Sequence, residues 1–261
     1  MNIKKLASAV SIIAIAFAST PAQANTPQKS IAIIDANFDS SLISGDVLSV
    51  CVMDQALCNV VTQPKNASQY EAYNHGTIMA DIVRTNNPTA KIILIRASTS
   101  TVGFINGHGL DAALNWISSN RQAHNITSVS FSYNAGDGKT CTPSTPGKDA
   151  KAAHADIVSD IRLLLQNGTK FYAAAGNNGS SKNYLDYPAC ISETVSVGSN
   201  LYPTTLKLAD VSYVANTYTS KVLKSNSKNS FAAGPIGIGL LNNVRVGNTT
   251  SVATAIIASN N

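Results

Sequence analysis

Ser30-Ile31-Ala32-Ile33-Ile34-Asp35 is the stretch from which the fold can be read: an unbroken apolar run between a serine and a carboxylate. Successive side chains of a strand point to opposite faces, so apolar residues at every position mean that a strand at 30–34 is covered on both sides. The same character recurs at 91–97 (Lys-Ile-Ile-Leu-Ile-Arg-Ala), 126–133 and 170–175, with shorter strands expected at 194–198 and 211–215. Helical patterns lie between them. The spacing predicts helices over 75–85, over 110–122 with Leu110, Ala113, Leu114 and Ile117 on one face, and over 149–167 with Gly168 as the stop. Segments 134–148 and 177–188 are rich in turn residues, and 216–230 reads as a polar, exposed excursion. Such alternation predicts an α/β domain, a parallel sheet with helices on both faces. Sites in such sheets lie at the carboxyl ends of the strands.

Three segments carry candidate chemistry at that edge. Ile33-Ile34-Asp35-Ala36-Asn37-Phe38-Asp39 ends a strand. Asn74-His75-Gly76-Thr77-Ile78-Met79-Ala80 and Asn248-Thr249-Thr250-Ser251-Val252-Ala253-Thr254 are each expected to open a helix. A serine hydroxyl is a poor nucleophile until an imidazole takes its proton, and a carboxylate then fixes the tautomer and stabilises the imidazolium. A fourth segment, Ala173-Ala174-Ala175-Gly176-Asn177-Asn178-Gly179, offers a side-chain amide to a developing oxyanion, from Asn177 or from Asn178. Each residue also has a plainer reading: Ser251 as a helix cap, Asp35 as a strand-end turn residue with Asp39 as a competing carboxylate, Asn177 as a turn asparagine. His108, His124 and His154 have no comparable context.

Taken together, these segments resemble those of the subtilisin-like serine proteases (subtilases), and the resemblance runs over most of the sequence. The order Asp…His…Ser is that of subtilisin. Thr250, Ser251, Ala253 and Thr254 match the family's Gly-Thr-Ser-Met-Ala-Thr-Pro, with Thr249 and Ala255 in place of its Gly and Pro. His75-Gly76-Thr77 matches the family's histidine segment, whereas Ile78, Met79, Ala80 and Asp81 stand where the family continues His-Val-Ala-Gly. The family's Asp-Ser-Gly is Asp35-Ala36-Asn37. Asparagine tolerates the left-handed backbone a glycine would supply, while Ala36 lacks the serine hydroxyl. Ser132, Tyr133 and Asn134 take the place of the Ser-Leu-Gly strand that pairs with an extended peptide. Tyr187-Pro188-Ala189 matches a turn near that pocket, and Phe231-Ala232-Ala233-Gly234-Pro235 is similar to the Ala-Pro-Gly loop.

The resemblance implies a subtilisin-like three-layer fold, a mostly parallel sheet with helices on both faces. It implies a serine endopeptidase working through an acyl-enzyme on protein or peptide substrates, with Asp35, His75 and Ser251 catalytic, Asn177 the oxyanion donor and Ser132, Tyr133 and Asn134 substrate-binding. No cofactor is required. Subtilases often carry structural calcium, but no acidic loop cluster is dense enough to name ligands. The alternative is a catalytically weak or inactive subtilase-like peptide-binding protein. An esterase of the α/β-hydrolase kind is disfavoured, because the chain has no Gly-x-Ser-x-Gly elbow.

Lys4 and Lys5 precede an apolar run at 6–18, and Ala22-Gln23-Ala24 is a small-residue cleavage site. Residues 1–24 therefore read as a secretory signal peptide, too short and wrongly flanked for a membrane span. Residues 25–261 are then one peptidase domain, monomeric and exported to periplasm or medium, with no room for a folding pro-domain and a short C-terminus after Ser251. The net charge of +5 includes both leader lysines, and no Lys/Arg run is present. A nucleic-acid partner is not expected, nor is a membrane once the signal is cleaved. Four cysteines in an exported chain point to disulfides and allow three connectivities. The expected pairs are Cys51–Cys58, a small loop, and Cys141–Cys190, a longer staple that the resemblance sets beside the substrate pocket. CxxC spacing is absent, so a zinc site is not expected, while structural calcium stays open and unassigned.

Overall fold

The computed structural model describes residues 28–53, 67–98, 105–135, 148–176, 186–189, 191, 193–199, 230–232 and 250–260. Among them seven strands make one parallel sheet: β1 (Ser30–Asp35), β2 (Val47–Cys51), β3 (Lys91–Arg96), β4 (Ile126–Phe131), β5 (Lys170–Ala174), β6 (Val195–Ser199) and β7 (Ser230–Ala232). Their order is β2-β3-β1-β4-β5-β6-β7, so the apolar run at 30–35 sits inside the sheet between β3 and β4. Among the described residues four α-helices cover it: α1 (Ala67–Asn86), α2 (Gly107–Asn120), α3 (Lys148–Gln166) and α4 (Thr250–Ser259).

The two-residue period of β1 divides the core. Ile31 and Ile33 pack with Ile78, Met79, Ile82 and Val83 of α1 and with Val252 and Ala255 of α4. Ala32 and Ile34 pack with Leu110, Leu114 and Ile117 of α2 and Ile157, Ile161 and Leu164 of α3. β3 alternates the same way, Ile92 and Leu94 to the first group, Ile93 and Ile95 to the second. Helices α1 and α4 thus lie on one face and α2 and α3 on the other. The helix α4 is tied to its surroundings at its C-terminal end: the Ser128 hydroxyl donates to Ala258 O at 3.0 Å, and the Asn87 amide donates to Ser259 O at 2.9 Å.

Two expectations need correction. The helix at 75–85 begins at Ala67, so His75 does not open it but lies well inside. The stretch 67–74 (Ala-Ser-Gln-Tyr-Glu-Ala-Tyr-Asn) has no glycine or proline to stop a helix, and its polar character hid the extension from a reading based on apolar period. The residue Asn37 does not supply a left-handed turn either: Asn125 is the one non-glycine with positive φ among the described residues. Strand β2 was not anticipated. It sits at the sheet edge and is only partly buried, so its signal was weak. The strand expected at 211–215 lies outside the described residues, as do Cys58, Cys141 and Cys190. Cys51 is disulfide-bonded, its partner outside the described set.

Candidate active site

Asp35 is the last residue of β1 and is fully buried, and its odd position in the strand turns it toward the α1 face. One carboxylate oxygen accepts the Ala36 N–H at 2.7 Å, and the other faces His75 Nδ1 at 2.8 Å. The close approach of α1 to this strand end depends on Gly76. A Cβ there would lie 2.6 Å from Asn37 O, 2.6 Å from the Phe38 ring and 2.8 Å from Asp35 Cβ. Only glycine lets the helix backbone come near enough for the neighbouring imidazole to reach the carboxylate. Asp39, the competing acid, is occupied elsewhere. It caps the short 3-10 turn Ser40–Leu42, accepting the Ser41 N–H at 3.1 Å, and its own N–H donates to the Thr77 hydroxyl at 2.8 Å.

Tyr133, just past β4, joins the two halves of the site. Its ring meets the His75 imidazole edge to face, centroids 5.1 Å apart and planes at 81°. Its phenol lies against the Asp35 carboxylate; burial first, and then that carboxylate, push its pKa well above the usual range, so it remains protonated. The contact gives Asp35 a hydroxyl where Ala36 offers none. It depends on β4 being the spatial neighbour of β1, which spacing along the chain does not reveal.

Ser251 stands in the first turn of α4 and is 6 % exposed. Its hydroxyl makes a long contact of 3.4 Å to Ser132 O, and the Ser132 hydroxyl returns one of 3.3 Å to Ser251 O. These two serines, with Tyr133, Asn134, Ala174, Gly176, Asp186 and Thr250, line a pocket of about 210 Å³ at the carboxyl ends of β4 and β5. The structure therefore brings together Asp35 and His75 directly, and Ser132, Tyr133, Asn134 and Ser251 around one pocket. Asn177 lies outside the described residues; Gly176 before it lines the pocket. Asp186 is a pocket residue that the sequence did not single out, although it directly precedes the Tyr187-Pro188-Ala189 match. Among the described residues, no group of three or more His, Cys, Asp or Glu could hold a metal ion, and no residue is assigned to calcium.

No protein-family model and no curated protein matches the sequence. Solved structures do match the fold. A point mutant of the protease domain of PatA matches with a TM-score of 0.57 at 16% identity, over 89% of this chain and 76% of that one. A lanthipeptide protease matches with 0.56 at 14%, over 89% and 71%. The PatG macrocyclase, solved in complex with peptide, matches with 0.52 at 14%, over 89% and 74%. The chain has the α/β fold of subtilisin-like protease domains.

Proposed function

We propose that the protein is an exported serine endopeptidase that cleaves peptide bonds through an acyl-enzyme on Ser251, its mature domain spanning 25–261. The observation that carries this reading is the 2.8 Å contact between His75 and the buried Asp35, at the sheet edge where Ser251 lines a pocket. With Nδ1–H donating to Asp35 Oδ2, the lone pair of the imidazole is on Nε2, the atom that acts as base. The Ser251 oxygen bonds to the substrate carbonyl carbon as its proton passes to Nε2. His75 then returns that proton to the amine as the C–N bond breaks, and water repeats the sequence to free the acid. The first-turn position of Ser251 aims helix N–H groups at the oxyanion, and Asn177 is the proposed side-chain donor. The fold neighbours include proteases and one macrocyclase seen with peptide, which supports a peptide or protein substrate. The disulfides proposed are Cys51–Cys58 and Cys141–Cys190.

The test is reaction with a fluorophosphonate, with the labelled peptide identified by mass spectrometry. Labelling at Ser251, abolished together with casein hydrolysis in Ser251→Ala, is the expected result. Folded protein that neither labels nor cleaves would establish the inactive, peptide-binding alternative.

A further inference from the structure

The pocket beside Ser251 has a single charged group in its described wall, the Asp186 carboxylate; its other described lining residues are uncharged, Tyr133 included. Asp186 is held in place from two sides. Its N–H donates to Ala175 O at 3.0 Å, and its carbonyl accepts the Ala189 N–H at 2.8 Å. Its carboxylate lies over Gly176, whose φ is +105°, where a Cβ would come within 2.4 Å of Oδ2 and 2.6 Å of Cγ. The glycine at the end of β5 thus leaves open the volume that the carboxylate fills. The negative charge belongs to the architecture of the wall, not to a loose surface side chain.

We propose that this pocket takes a basic side chain, arginine or lysine, of the residue whose carbonyl Ser251 attacks, and that Asp186 determines that specificity. The inference rests on the proposed endopeptidase reading. A carboxylate offers about four acceptor positions on its two oxygens, so local bonds and an incoming cation are compatible. A guanidinium can meet it with two parallel hydrogen bonds, and an ammonium with a point charge. An apolar side chain in the same place would strip water from the carboxylate and return nothing. Selection therefore comes as much from rejecting neutral residues as from attracting basic ones. A glutamate would add like-charge repulsion.

The experiment compares fluorogenic peptides identical except for the residue before the scissile bond: Arg, Lys, citrulline, Leu and Glu. Citrulline keeps the shape of arginine without its charge. Arg and Lys should exceed citrulline and Leu in kcat/KM by about 10–100-fold, the range of a hydrogen bond to a charged group, with Glu cleaved least. Asp186→Asn should bring the Arg/citrulline ratio close to one, and Asp186→Lys should favour Glu. If these variants do not fold, the wild-type ratio decides alone. Enzyme that labels at Ser251 yet cleaves citrulline or Leu peptides as well as Arg overturns the specificity and leaves the endopeptidase reading standing. If wild-type protein neither labels nor cleaves, that reading fails. The pocket is then tested by calorimetry on the same protein, benzamidine against neutral benzamide. Tighter binding of the cation, lost in Asp186→Asn, supports cation recognition; equal or absent binding overturns it.

Discussion

Under α2 and α3 the sheet is filled by Ile34, Ile93, Ile95, Val129, Phe131 and Phe171, packed on leucines and isoleucines of the two helices. Under α1 and α4 the buried residues include Asp35, Asp81, Ser128, Ser251 and Thr254 among the isoleucines, leucine and valines of a second apolar cluster. The first face is a hydrophobic core. The second leaves buried polar groups where each needs its own partner, an arrangement that lowers stability unless every group is satisfied. Asp35 has its partners in Ala36 N–H and His75. Asp81, with one carboxylate oxygen unpartnered, is an exception, as are the Ser130 hydroxyl and the Asn37 amide.

Substitutions can separate the two faces. The largest effect belongs to His75→Ala, expected to lower turnover by on the order of 10⁴–10⁶-fold, as for triads generally, read per folded molecule because the change also takes the imidazole partner from the buried Asp35. Wild-type activity should also rise with pH, because only the neutral imidazole can take the serine proton. Unchanged turnover in His75→Ala would defeat the mechanism. On the opposite face, Leu114→Ala, at a fully buried position, should cost about 2–5 kcal/mol in denaturant unfolding. The remaining folded fraction should turn over at the wild-type rate. A matching loss of turnover per folded molecule would show the faces to be coupled.

The smallest effect belongs to Asp81→Asn. Burial raises the pKa of this carboxyl. Between its ordinary value and the raised one, the folded state keeps a proton that the unfolded chain has lost. Its contribution is therefore most favourable in acid and is lost as pH rises through the folded value. Replacement by the neutral amide should raise stability near pH 7 by about 1 kcal/mol and leave it little altered at pH 3. Melting curves at the two pH values check both arms, and a lower melting temperature at pH 7 would mean that the charged form has a stabilising role.

The apolar face explains why much of the fold was legible. Residues 30–34, 91–97 and 110–122 carry their periods openly because nothing but packing constrains them. The residues of the candidate site were legible where their setting is local, as at Asp35 closing an apolar strand, His75-Gly76-Thr77, and Thr250-Ser251 opening α4. It was not legible where it depends on strands adjacent in space. The Tyr133 ring on His75 requires β4 beside β1, and the Asp186 carboxylate over Gly176 requires 186–189 folded back on the end of β5. The start of α1 was missed because polar helix-forming residues carry no burial signal.

The positions of the helices also fix the hand of the chain's crossovers. From β2 to β3 and from β3 to β4 the chain steps the same way across the sheet, yet α1 lies on one face and α2 on the other. Two parallel crossovers that step alike on opposite faces have opposite hands. The helix α3 joins β4 to β5 in the same direction and on the face of α2, so α2 and α3 share the ordinary right hand and α1 is left-handed, a departure from a rule obeyed in about 98% of cases. The inversion puts His75 on the side of the sheet to which Asp35 points and on which α4 carries Ser251. A chain that closed this crossover with the common hand would keep the same strands, helices and apolar stripes. Its imidazole would be separated from the carboxylate by the thickness of the sheet, so the Asp35–His75 contact is a property of chirality as much as of residue identity.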